Sequence, residues 1–159
     1  MDPLKRVEYL IVHHSEREYD FPFFIKIRHK VLRGWEDSGY HFLIGNGKLL
    51  TEEGKIYQGR PEEMQGAHAR GYNHNSLGIC VIGNSDREIP PEAQFQALCS
   101  LLERKMHQYS VPLENIRGHK ELPHTDTSCP GRYLNMTYVR AMLWQQRSNG
   151  EWSQEATAN

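Results

Sequence analysis

The chain is poorly equipped for disulfide chemistry. Only three cysteines occur in 159 residues, Cys80, Cys99 and Cys129, and no two share a CxxC spacing. Neither a disulfide framework nor a thioredoxin-like pair is expected, and at least one thiol must be free or metal-bound. An excess of one charge is lacking too. Nineteen Lys and Arg stand against twenty Asp and Glu, for a net charge of -1, so nothing general draws the chain to nucleic acid or to an anionic membrane. A local basic patch stays open. No apolar run is long enough to cross a bilayer, and the N-terminal MDPLKRVEYL has no signal-peptide core; the expectation is no membrane insertion and a chain that is cytoplasmic at synthesis. Internal repeats and low-complexity blocks are absent as well.

What is present is enough for one compact domain. The 38% hydrophobic content at this length can bury a core without disulfide or metal staples. Residues 1–147 are expected to form that domain, and 148–159, largely polar, a frayed tail. Nine histidines are many for this length, and histidine is both the commonest metal ligand and the usual acid or base near neutral pH.

Val7 to Val12 is mostly apolar on both alternating faces, as in a strand covered on both sides of an α/β sheet, with His13, His14 and Ser15 at its carboxyl end. Asp20 as N-cap and Pro22 in the first turn predict a helix that stops near Gly34 and carries Phe23, Phe24, Ile27 and Val31 on one side. Tyr40 to Ile44 reads as a second strand. Turn signals at Gly45-Asn46-Gly47 and Glu53-Gly54, around Lys55-Ile56-Tyr57, predict hairpins. Gly59 to Ser76 is a long polar loop of the kind that is usually functional or disordered. Gly78 to Ile82 reads as a buried strand. Helices are expected from Pro90-Pro91 to about Tyr109, on the spacing of Phe95, Leu98, Leu102 and Met106, and between Tyr138 and Gln146.

A catalytic zinc site needs three ligands drawn from His, Cys and carboxylates, plus an open position. Two regions can supply them. One is the His13-His14 pair at a strand end, where open α/β sheets put their ligands. The other is RGHKELPHTDTSCPG, with His119 and Cys129 ten positions apart in a loop containing Pro and Gly. Residue by residue, a hydrogen-bonded structural histidine or a small buried thiol is the commoner explanation of each.

The segments VEYLIVHHS, GWEDSGYHFLI, GAHARGYNHNSLGICVIGN and RGHKELPHTDTSCPG, in this order, resemble the type 2 N-acetylmuramoyl-L-alanine amidases, a family that includes amidase-type phage lysozymes and the peptidoglycan recognition proteins. The resemblance runs from about Val7 to Gln146. It implies a single α/β domain with a mixed central sheet flanked by helices, and one Zn²⁺ per chain held by His13, His119 and Cys129 in a surface groove. Hydrolysis of the amide between N-acetylmuramic acid and L-alanine, in lysis or recycling of the cell wall, is the implied activity. Tyr40 matches the family's active-site tyrosine. Thr127 matches the recognition-protein enzymes, where phage enzymes carry lysine. His68, Arg70 and Asn73 are similar to the segment that lines the substrate groove, although a loop-scaffold role is equally open for Asn73. His14 and His124 are the nearby fourth ligands that a closed structural site would need. The implied partner is peptidoglycan or a muropeptide, with a monomer expected; phage members can also bind an RNA polymerase, but no residue assigns that surface here. Binding without cleavage is the rival reading, and the ligand loss typical of it is not seen.

Overall fold

The computed structural model describes residues 2–34 and 37–148, without the side chain of Arg33; Trp35, Glu36 and the expected tail from Asn149 onward lie outside the described residues. Five strands are described: β1 (Tyr9–His14), β2 (Phe42–Ile44), β3 (Ile56–Gln58), β4 (Ser76–Val81) and β5 (Ile116–Gly118). Three helices accompany them: α1 (Pro22–Arg33), α2 (Glu92–Tyr109) and α3 (Met136–Ser148). The sheet order is β3-β2-β4-β1-β5. β1 lies parallel to both β4 and β5, β4 parallel to β2, and β3 closes the edge antiparallel to β2. This is the mixed sheet expected.

Alternation along the central strands separates two cores. Leu10, Val12, Leu77, Ile79 and Val81 point to one face, where they meet Leu98, Leu102, Met106, Val139 and Leu143 of α2 and α3. On the other face Cys80 joins Leu43, Ile82 and Ile25 of α1, while Ile11 meets Ala69 and Leu122 of the loops. His13 follows Ile11 by two residues and shares this second face. β5 was not legible as a strand, because three residues, IRG, carry no measurable period.

One expectation for α1 is corrected. Its N-cap is Phe21 in extended backbone, and no side chain caps it. The Asp20 carboxylate instead accepts the Phe21 N–H at 3.1 Å and the Arg28 guanidinium at 2.7 Å. The side carrying Phe23, Phe24, Ile27 and Val31 is turned away from the core: these residues are 57, 48, 41 and 74% exposed, while Ile25 is fully buried and His29 nearly so. Polar anchors decide the rotation. Arg28 must reach buried Asp20, and His29 Nδ1 accepts the Gly39 N–H at 3.0 Å; an apolar stripe at helical period lies on the opposite side and mimics a core face. The C-terminus falls as expected, with Gly34 at φ 66° and its N–H donating to the Lys30 carbonyl.

The orientation of α1 can be tested by unfolding. Ile25→Ala should cost about 2–5 kcal/mol, whereas Val31→Ala should stay within roughly 0.5 kcal/mol. Equal losses in urea titrations of the two variants would contradict the orientation described.

Candidate metal centre

β1 is flanked on both sides by parallel partners, so its carboxyl end is held in register, with His13 opposite Cys80. The neighbouring β5 ends at Gly118, and the chain turns at once into a 3-10 turn, His119–Glu121, which brings His119 beside His13. Their ring centroids are 4.7 Å apart. Cys129 arrives on a loop fastened at several points. Its carbonyl accepts the Lys120 N–H at 2.7 Å, its own N–H donates to Thr127 Oγ1 at 3.1 Å, and the adjacent Ser128 hydroxyl donates to Asp86. The Cys129 sulfur then lies 3.6 Å from His13 Nδ1.

Donor atoms of His13, His119 and Cys129 all lie within 4.8 Å of one another, and among the described residues no other group of three such side chains does this. They open on a cavity of about 460 Å³ that is also lined by Tyr40, His68 and Thr127. Tyr40 lies 5.1 Å from the His13 ring, centroid to centroid, and packs partly on the α1 core. Asn73 braces the long loop, its side-chain oxygen accepting the His68 and Ala69 N–H groups. Arg70 is exposed and does not line the cavity. His14, whose side chain takes the alternate strand face, is buried and accepts the Ser85 N–H at 3.1 Å, and it too borders the cavity.

Some cavity residues escaped the sequence reading. Arg28, His29 and Leu32 reach the cavity from α1; they lie off the Phe23, Phe24, Ile27 and Val31 stripe, and helical spacing alone does not mark them. Glu16, just after the HHS triplet, also lines it, at a positive φ of 61°.

Burial dominates the electrostatics. It holds His13 well below the ordinary imidazole value, helped by His68, His119 and His14, and lowers His68 likewise, helped by His41 and His119 and opposed by a hydrogen bond to the Ser76 backbone. His119 is lowered by burial against the pull of Glu16. The Cys129 thiol is pushed up to about 12 by burial, opposed by a hydrogen bond to the His14 backbone. Neutral imidazoles with available lone pairs, beside a sulfur that needs a cation to lose its proton, form the kind of N, N, S donor set that suits zinc and leaves a fourth position open.

A family model described as N-acetylmuramoyl-L-alanine amidase matches residues 3–132. The chain belongs to that amidase family. It is 36% identical over 136 residues to peptidoglycan-recognition protein LB of Drosophila melanogaster, across 79% of this chain and 55% of that protein. With the endolysin of Escherichia phage T7 it shares 37% identity over 103 residues, 62% of each. The chain thus spans little more than half the length of these curated relatives. Among solved structures, the N-acetylmuramoyl-L-alanine amidase LysC from Clostridium intestinale URNW superposes with a TM-score of 0.78 at 32% identity, across 87% of this chain and 85% of that one. The complex of tracheal cytotoxin with peptidoglycan recognition proteins LCa and LCx gives 0.72 at 27% identity, across 84% and 82%.

The buried rings of this amidase-family domain imply a pH dependence of stability. His41 is lowered to about 4 from an ordinary 6.5, first by burial, and His13, His68 and His119 move in the same direction. A depressed histidine is neutral in the folded state, so its contribution is complete above about pH 6.5 and is lost as pH falls, when the unfolded chain binds protons that the folded chain refuses. At pH 5, His41 alone should cost on the order of 2 kcal/mol. Urea midpoints of chelator-treated protein should therefore drop between pH 7 and 5, above the range where most carboxylates titrate; a flat profile would show that the rings are reached by protons without unfolding.

Proposed function

We propose that the chain is a zinc-dependent N-acetylmuramoyl-L-alanine amidase that hydrolyses the amide between N-acetylmuramic acid and L-alanine of peptidoglycan. The observation that carries this reading is the convergence of His13, His119 and Cys129 at the floor of an open cavity. A complete ligand set with an accessible face supports cleavage over binding alone, and three donors rather than four support a catalytic over a structural metal. The names of the relatives, and the tracheal cytotoxin held by the recognition proteins, support a muropeptide substrate.

His13, His119 and Cys129 would hold the zinc, whose chemistry is that of a Lewis acid for the amide carbonyl and an activator of water. The chain's own residues do the rest. Tyr40, lining the cavity beside His13, donates to the carbonyl oxygen as charge grows there. Thr127 has its oxygen engaged by the Cys129 N–H, which orients the loop and leaves the hydroxyl hydrogen for substrate. No lysine stands at this position, so charge on the oxyanion is met without a side-chain cation from this loop. Arg70 is exposed and outside the cavity lining, so any contact it makes with a stem-peptide carboxylate lies beyond the cavity itself.

Digestion of purified peptidoglycan should free the amine of L-alanine, leave glycan strands uncut, stop on chelation and resume with zinc. New reducing ends without free alanine amines, read by mass spectrometry, would replace the amidase with a glycosidase. Tyr40→Phe should lower kcat by roughly 10²-fold, the scale of a lost oxyanion donor, with zinc content unchanged. An unaltered kcat would leave Tyr40 as a packing residue only.

A further inference from the structure

The His13 ring has a different neighbour at each nitrogen. Nδ1 faces the Cys129 sulfur at 3.6 Å, and Nε2 lies 3.0 Å from Nδ1 of His68. The chain of contacts continues inward, with His68 Nε2 3.3 Å from the Ser76 hydroxyl oxygen and that oxygen 2.6 Å from the Tyr72 carbonyl. We propose that Ser76 and His68 form a proton-fixing relay that keeps the His13 ring hydrogen on Nε2, so that Nδ1 is presented to the metal as a bare lone pair. His68 is thereby a positioning residue rather than a substrate contact.

Each step follows from donor counting. A carbonyl oxygen only accepts, so the single hydroxyl hydrogen of Ser76 goes to Tyr72. The Ser76 oxygen must then accept from His68, which fixes the His68 hydrogen on Nε2. A neutral imidazole has one ring hydrogen, and both rings are deeply buried. His68 Nδ1 is therefore a lone pair, and the only hydrogen that can occupy its 3.0 Å contact with His13 is the one on His13 Nε2. His13 Nδ1 is left bare, facing Cys129.

The relay is built into the backbone. A Cβ at Gly78 would fall 2.5 Å from the His68 ring, and one at Gly66 would fall 2.4 Å from it, so both positions must lack a side chain for the ring to fit. Asn73 holds the His68 N–H from behind at 2.8 Å. His41, whose ring centroid is 5.8 Å from that of His68, does not compete for the hydrogen. Its Nδ1 accepts the Gly78 N–H at 2.9 Å, which leaves Nε2 to donate to the Met64 carbonyl at 2.9 Å. Ser76 and Cys80 lie on β4 opposite Tyr9 and His13 of β1, so the strand pairing that delivers the ligand also delivers its relay. Partners that orient a ligating histidine through its other nitrogen typically contribute 10–100-fold to metal affinity.

This inference rests on the zinc reading above, and the tests separate the two. Long-range ¹H–¹⁵N spectra of the metal-free wild type should show hydrogens on Nε2 of both His13 and His68. A His13 hydrogen on Nδ1 overturns the relay whatever the protein does to peptidoglycan. In chelator competition, His68→Phe should weaken zinc binding by about 10–100-fold, and His68→Gln, whose amide oxygen can accept from His13, should recover part of the loss. Ser76→Ala should unfix the His68 tautomer in the spectra, and Ser76→Thr should restore it. Wild-type zinc affinity in folded His68→Phe, or an unchanged His68 tautomer in Ser76→Ala, refutes the relay. Failure of the wild type to bind zinc, with both tautomers as stated, would refute the metal reading and leave the hydrogen-bond chain standing.

Discussion

The parallel pairing of β1 between β4 and β5 is the constraint on which the rest depends. It buries β1 on both faces, so Leu10, Ile11 and Val12 can all be apolar, and it fixes the carboxyl end where His13 stands. Because successive side chains alternate, the same strand sends Val12 into the α2 and α3 core and His13 into the cavity. β4 adds Ser76 and Gly78 on the cavity side, while β5 releases the chain just before His119. A shift of one residue in the β1 register would exchange His13 for His14, whose Nδ1 is already committed to Ser85.

Much of this was legible in the sequence where the signal was long or chemically unusual. The eighteen-residue α2 announces itself by the spacing of Leu98, Leu102 and Met106, and β1 by an apolar run ending in two histidines. The family pattern pointed to His13, His119 and Cys129 together, and the fold brings their donor atoms within 4.8 Å. Other features were hidden for identifiable reasons. Helical periodicity records a stripe but not which way it faces, and in α1 the deciding forces were the Asp20–Arg28 pair and the His29–Gly39 hydrogen bond. Ser76 is one serine among several in sequence. Only its position between the Tyr72 carbonyl and the His68 ring gives it a role, and that depends on tertiary geometry.

The cavity also concentrates groups that are unfavourable for folding on their own. Rings at His13, His41 and His68 and a thiol at Cys129 are removed from water, and His119 partly so, without full compensation by charge. The apolar layers on the other face, between the sheet and helices α2 and α3, supply the offsetting burial. Stability and chemistry are thus divided between the two sides of one sheet, so substitutions that remodel the groove need not disturb the larger core.

His13 and Cys129 are separated by 116 positions along the chain. On the ribosome, the first strand is exposed long before the sulfur that completes the centre has been polymerised. A nascent chain, or a product truncated ahead of residue 129, carries the histidines without their third donor. Assembly of the centre therefore comes late in translation, and unfinished polypeptides lack the full constellation that the completed chain brings together.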